Sequence, residues 1–289
     1  MLVCLSMAKS LLATLVATVL LLAAPGHAAE VTGMDHIPIA VRDLGVAIRS
    51  YERLGFAWKQ GRYHANGVSN GHIKFPDGTE LELISAVDAV DDLTAEYRQF
   101  LERAEGPAFL GFFAPRRTEL IDRLSAGFVS ADFSGSWIRF PQSDPLHYIF
   151  FGQRNASATD RPEHFAHPNG AQSLVGVWLA GDDFSREQEL FRSLGATSST
   201  ERACTPECGR WVQWRFAESE ITLLPSSRGL SSSRKIVGAV VRVQSIRAAK
   251  AFLQGIVPTL TEAHGKHWDS IFIPPEVTHG IWLELRETR

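Results

Sequence analysis

The stretch His36-Ile37-Pro38-Ile39-Ala40-Val41-Arg42-Asp43-Leu44 alternates as a strand does, with Ile37, Ile39 and Val41 on one face, and then changes period. Asp43 is a helix-capping residue type, and Leu44, Ala47, Ile48, Tyr51 and Leu54 follow at helical spacing until Gly55. A polar stretch rich in glycine and asparagine runs from Gly61 to Gly71. It leads into His72-Ile73-Lys74-Phe75, the turn Pro76-Asp77-Gly78, and a second alternating run from Thr79 to Ser85. The unit is a strand, a helix, and two or three further strands.

The same order returns three times. Phe109 to Phe113 precedes a helix around Leu120, Ile121 and Leu124 that ends at Gly127, and the strands Phe140-Pro141 and Leu146 to Phe151 close it. A gapless alignment lays Phe75 to Ile84 on Phe140 to Ile149, which places Glu82 on His147. A third copy runs from Leu174 through Phe184, Phe191 and Gly195 to Leu224, and a fourth from Ile236 through Ala249 and Leu253 to Leu285. The pattern predicts an α+β fold of four βαβββ modules over 33–86, 107–152, 173–225 and 235–287. A polar linker over 156–172 would divide them into domains 31–155 and 173–289.

The 289 residues carry 29 Lys+Arg against 32 Asp+Glu, a net charge of −3, and are 45% hydrophobic. That balance excludes a disordered chain and offers no basic surplus for nucleic acid. Residues 1–28 read as a secretory leader: Lys9, the apolar run Leu11 to Ala24, and small residues around Ala28. At about 1.5 Å per residue that run spans roughly 21 Å, short of a bilayer core of about 30 Å, so cleavage is expected rather than anchoring. The mature protein is therefore expected to be periplasmic or secreted, with no membrane attachment. In such a compartment Cys204 and Cys208 most simply form a disulfide; a metal-binding pair is the other reading.

The opening strand with its Arg42-Asp43-Leu44, the Tyr51…Leu54-Gly55-Phe56 helix end, and Asp77-Gly78-Thr79-Glu80-Leu81-Glu82-Leu83-Ile84 resemble the vicinal oxygen chelate superfamily. Within it the chain is most similar to glyoxalase-like domain proteins, including the segment His167-Pro168-Asn169-Gly170-Ala171. The resemblance implies that paired modules form cup-shaped mixed sheets with ligands on the first and last strand of each module. Those positions are His36, Phe109, Gly176 and Gly238, and Glu82, His147, Thr222 and Glu284. It further implies one divalent metal ion (Fe, Mn, Ni or Zn) on His36, Glu82 and His147, a set of two imidazoles and one carboxylate.

The segment from His64 to Lys74 would line the cup. His64, Asn66, Asn70 and Lys74 are candidate substrate-binding residues and His72 a candidate general base; a plain turn-rich hairpin is the bland reading. The expected function is a metal-dependent lyase, isomerase or dioxygenase acting on a small oxygenated molecule. A metal-free protein that sequesters such a molecule is the alternative, and an interaction module a third. The second domain, poor in ligands, is expected to be structural or to form a homodimer.

Overall fold

The computed structural model describes residues 29–62, 64–128, 130–228 and 234–289, so the expected leader 1–28 lies outside the described residues. The first half contains β1 (Gly33–Met34), β2 (His36–Ala40), α1 (Leu44–Arg53), β3 (Lys59–Gln60), β4 (Val68–Lys74) and β5 (Glu80–Ala86). It continues with α2 (Asp92–Arg103), β6 (Gly106–Pro107), β7 (Leu110–Phe113), α3 (Arg117–Gly127), β8 (Ile138–Arg139) and β9 (Ile149–Gly152). The second half contains β10 (Ala171–Ala180), α4 (Ser185–Ser193), β11 (Thr197–Thr205), β12 (Glu207–Arg215), β13 (Glu220–Leu224) and β14 (Ile236–Val243). Then come α5 (Ile246–Leu253), β15 (Thr261–His264), β16 (Trp268–Ile273) and β17 (Trp282–Thr288). Among the described residues no helix is long and apolar enough to cross a membrane.

Local chemistry sets the element ends. The Asp43 carboxylate accepts from the Val46 amide at 2.9 Å, satisfying one of the free N–H groups at the start of α1. Gly55 lies at φ +82°, in the left-handed region that glycine adopts at least cost, and turns the chain out of that helix. Asp91 caps α2 in the same way through the Thr94 amide, at 2.8 Å.

In the second half, eight strands lie in the order β11-β12-β13-β10-β14-β17-β16-β15, which reads the same from either edge inward. The opening strands β10 and β14 are antiparallel neighbours, and each pairs in parallel with its closing strand, β13 or β17. The first half follows the same plan. β3-β4-β5-β2 lie in sequence, β6 continues beside β2, and the β1-β7-β9-β8 sheet completes the curve, with parallel pairs β2/β5 and β7/β9.

The alternation in β2 decides what lies on each side. Ile37, Ile39 and Val41 enter one continuous core that also takes Tyr51, Leu120 and Phe112 from the first half and Val177, Leu179, Phe191, Val241 and Leu253 from the second. The two halves therefore share their interior. The segment between them is bound to the first half. Buried His167 accepts the Ala57 N–H at Nδ1 (3.0 Å) and donates from Nε2 to the Lys74 carbonyl (3.0 Å), and Asn169 donates to the Leu54 carbonyl at 2.9 Å.

The concave faces differ. In the first half, α2, to which the module pattern assigns no place, crosses one side of the cup through Tyr97 and Leu101, packed on Ala40, Val68, Ile84 and Ala86. In the second half the hollow is occupied by Trp178 and Phe272, with Trp211, Trp268 and Trp282 against them. A Cβ on Gly238 would lie 2.2 Å from the Trp178 ring, so only glycine leaves room for that indole.

Cys204 and Cys208 stand opposite each other in the β11/β12 hairpin and are joined by a disulfide. The closed loop is short, and the chain-entropy relation gives it about 2 kcal/mol. Replacing both with serine is expected to lower the unfolding free energy by about that amount without changing the denaturant slope. Denatured, unreduced protein should yield no free thiol from either position; two reactive thiols would show that the bridge is not formed.

Candidate functional site

Strand register assembles the polar floor of the first cup. The parallel β2/β5 pairing sets His36 opposite Glu80 and Pro38 opposite Glu82. The antiparallel β4/β5 pairing sets His72 opposite Glu82 and Asn70 opposite Ile84. Residues two apart on a strand share a face, so His36, Asn70, His72, Glu80 and Glu82 meet on the concave side. His36 Nε2 lies 3.5 Å from Glu82 Oε2, and His36 Nδ1 lies 3.1 Å from Asp35 Oδ2. His72 Nδ1 is 3.0 Å from Glu80 Oε1, and Asn70 Nδ2 donates to Glu82 Oε1 at 2.6 Å. Glu80 is only 2% exposed, so these acids are not part of a solvated sheet face.

The electrostatics follow from burial and pairing. Burial works against charge on His36, but hydrogen bonding to Asp35 and then Glu82 outweighs it and holds the imidazole well above its ordinary range. Burial likewise opposes ionisation of Glu82. The His36 hydrogen bond, the charges of His36 and His72, and the Asn70 amide bring its carboxyl down to about 2. Burial lifts the Asp35 carboxyl against the lowering effect of its contact with His36, whereas Glu82, on the other imidazole nitrogen, is held low. His72 is also raised: burial opposes its charge and Glu80 prevails.

These groups face a cavity of about 760 Å³. Phe109, Trp137 and Phe150 form its apolar wall, with His36 edge-on to Phe150 (5.0 Å between centroids) and to Trp137 (5.8 Å). Gly152 admits Trp137, whose ring lies 2.1 Å from where a Cβ would stand. His64, Asn66, Asn70 and His72 line the cavity as their sequence positions suggest, with Asn66 also tied to Asp91 at 2.8 Å.

Lys74 does not line it. Its ammonium is buried against Asp160 Oδ2 at 2.7 Å and the Asn155 carbonyl, which makes it a strap for the segment between the halves.

His147 also stands elsewhere than the gapless alignment places it. It lies in the turn before β9, with Nδ1 on the Phe140 carbonyl (2.9 Å) and Nε2 on Glu96 Oε1 (2.5 Å). In β2, the residue two beyond His36 pairs with Glu82. In β7, Gly111, two beyond Phe109, pairs with Phe150. Phe150 is thus the register counterpart of Glu82, and the alignment slips because the turn before β9 is longer than the one before β5. Two of the four ligand positions around this cup are phenylalanines, so the expected set of His36, Glu82 and His147 is not assembled. Among the described residues no three of His, Cys, Asp and Glu are grouped to hold a metal ion. What the fold does assemble is a pair, His36 and Glu82, with Asp35 on the second imidazole nitrogen.

In the second half, register sets Trp178 opposite Thr222 and Val240 opposite Glu284. Glu284 accepts from Ser270 Oγ at 2.5 Å and from Arg286 Nε at 2.7 Å, so its charge is already matched. Sequence reasoning missed Asp35, Trp137 and Arg139. Asp35 was legible as the neighbour of His36; Trp137 comes from the bend before a two-residue strand and Arg139 from that strand, with no periodicity to flag either.

Residues 34–195 match the glyoxalase-like domain family. No curated protein matches the chain. Among solved structures, a triple mutant of 4-hydroxymandelate synthase from Streptomyces coelicolor is similar over 90% of this chain and 93% of its own, at 13% identity and TM-score 0.66. A catechol 2,3-dioxygenase is similar over 90% of each chain, at 16% identity and TM-score 0.61. A hypothetical protein from Staphylococcus aureus is similar over 88% of this chain and 98% of its own, at 11% identity and TM-score 0.58. At these identities the likeness shows the fold alone.

Two outcomes are expected of the floor. The raised His36 contributes stability that is complete below the ordinary histidine value of about 6.5 and fades as pH rises through its own higher value. The lowered Glu82 contributes stability that is present above about 4.3 and fades as pH falls toward its value of about 2. Thermal unfolding should therefore be most resistant between these limits, and His36→Gln should lessen the decline on the alkaline side, the raised His72 and His147 keeping the remainder. His36→Ala, which leaves Glu82 buried and unpaired, should cost about 3 kcal/mol in chemical denaturation.

Proposed function

Because the chain belongs to the glyoxalase-like domain family, we propose that its first cup binds a small oxygenated molecule and that the His36–Glu82 and His72–Glu80 pairs exchange protons with it. The observation that carries this reading is the pair of imidazole–carboxylate contacts on the floor of one 760 Å³ cavity, beside an apolar aromatic wall. His72 is the better general base. Glu80 on Nδ1 fixes its ring and leaves Nε2 toward Asn70, at 3.3 Å. His36, held cationic between two acids, is the better donor to an oxygen on which charge develops. A base and an acid so placed suit an isomerase or lyase that moves a proton next to a carbonyl. The pattern of residues 1–28 supports export to the periplasm or beyond as the setting.

A second reading keeps one divalent metal ion, Fe, Mn, Ni or Zn, and is favoured by the 3.5 Å between His36 Nε2 and Glu82 Oε2 with Asp35 on Nδ1. That separation suits neighbouring ligands of one ion, and an acidic partner on the far nitrogen is the usual orienting contact of a metal-bound imidazole. Such an ion would supply a Lewis acid for a substrate's paired oxygens and would extend the chemistry to dioxygenation.

The two readings part experimentally. Solvent deuterium should enter the carbon next to a carbonyl in a ligand of the cup, and His72→Gln should slow that entry by about 10²–10⁴-fold. Metal analysis after reconstitution should find no ion whose retention depends on both His36 and Glu82. Stoichiometric metal lost in His36→Ala and in Glu82→Ala would overturn the metal-free reading. Ligand binding without exchange would make the protein a sequestering one.

A further inference from the structure

The charges around the first cavity do not cancel, and the residue left over says what the ligand carries. Three carboxylates line it, and each has a histidine: Glu82 with His36 at 3.5 Å, Glu80 with His72 at 3.0 Å, and Glu96 with His147 at 2.5 Å. Four cationic side chains of Lys or Arg line it as well. Two have partners outside the cavity: Lys59 meets Asp160 at 2.5 Å, a carboxylate it shares with Lys74, and Arg154 meets Glu218 at 2.5 Å. Arg62 and Arg139 have no ion-pair partner among the described residues.

Their placement is as informative as their number. Arg139 is on β8, the outermost strand on one side of the cup, and pairs across the ladder with Phe150, so both side chains share the concave face. Arg62 directly follows β3, the outermost strand on the other side. Each rim of the cup thus carries one exposed guanidinium without a salt bridge among the described residues, Arg139 having only the longer-range pull of Asp132, its neighbour across a short bridge. The floor has the opposite need. Glu80 Oε2 and Asn70 Oδ1 are buried acceptors without a hydrogen-bond partner in the protein, and burying such atoms unpaired costs about 1–3 kcal/mol each. Between rim and floor the wall is apolar: Phe109, Trp137 and Phe150.

We propose that the ligand of this cup is a small hydroxylated carboxylate, its carboxylate held at one rim by Arg139 or at the other by Arg62 and its hydroxyl donating to Glu80 or Asn70 at the floor. This inference rests on the reading of the cup as a small-molecule site and adds the chemical class of the molecule. A guanidinium grips a carboxylate through two parallel N–H donors, so the rim orients the anion as well as attracting it. The hydroxyl then reaches the floor across the aromatic wall, beside His72.

The test is equilibrium binding to the purified full chain of a panel of matched probes. One set is 4-hydroxybenzoate, its neutral counterpart 4-hydroxybenzyl alcohol, and benzoate, which lacks the hydroxyl. The hydroxy acid should bind about tenfold tighter than the neutral alcohol, a preference that weakens as salt is raised, and tighter than benzoate. The double variant Arg62→Gln with Arg139→Gln, both exposed and remote from the core, should erase the preference over the alcohol and leave the alcohol's own affinity unchanged. Equal binding of acid and alcohol, or a preference that survives the double variant, overturns this inference while leaving the cup a binding site. Failure of the whole panel to bind counts against the cup as a small-molecule site.

Discussion

The parallel pairing of β2 with β5 is the constraint on which the first half depends. Because it sets His36 beside Glu80 and Pro38 beside Glu82, the antiparallel addition of β4 brings His72 and Asn70 onto the same face without any further choice. A slip of one residue would send Ile37 and Ile39 into the cup and the histidine into the core. The apolar side forbids that slip. Ile37, Ile39 and Val41 are buried against helices and against strands of the second half, so the hydrophobic interior fixes the register and the register fixes the polar floor.

Much of this was legible in the sequence, for physical reasons that differ by residue. The change of period at Asp43 and the stops at Gly55, Gly127 and Gly195 are local, so strand, helix and turn order could be read directly. His36, His72 and Glu82 came from the resemblance to the superfamily, and alternation along the strands supported their facing inward. What was not legible depends on the length of turns. Gapless alignment placed His147 on the last-strand position, whereas the ladder places Phe150 there, because the turn before β9 takes residues that the turn before β5 does not. Lys74 shares the face of His72, yet Asp160, far along the chain, takes its charge. Helix α2 carries its own cap and amphipathic face but belongs to no repeated unit, so a reading built on repeats had no place for it.

The two cups show how one topology diverges by side-chain volume. In the second, Gly176 and Gly238 stand where the first has His36 and Phe109; Val240 closes on the space at Gly176 and Trp178 takes the space at Gly238. Glu284 survives at its register position, but Arg286 and Ser270 answer its charge from within the protein. In the first cup the acids are answered by imidazoles, groups that give up and regain protons near neutrality. The same backbone thus yields a hollow largely filled by tryptophan in one half and one floored by imidazole–carboxylate pairs in the other.

The shared interior has a consequence for how the molecule comes apart. With Ile37 and Phe112 of one half packed in the same cluster as Val177 and Phe191 of the other, neither half has a closed surface of its own. Cutting the chain between them would uncover a broad apolar face on each piece. Loss of the second half would then read as aggregation rather than as a smaller, working cup. The second half thus keeps covered an apolar face that the first half could not close by itself.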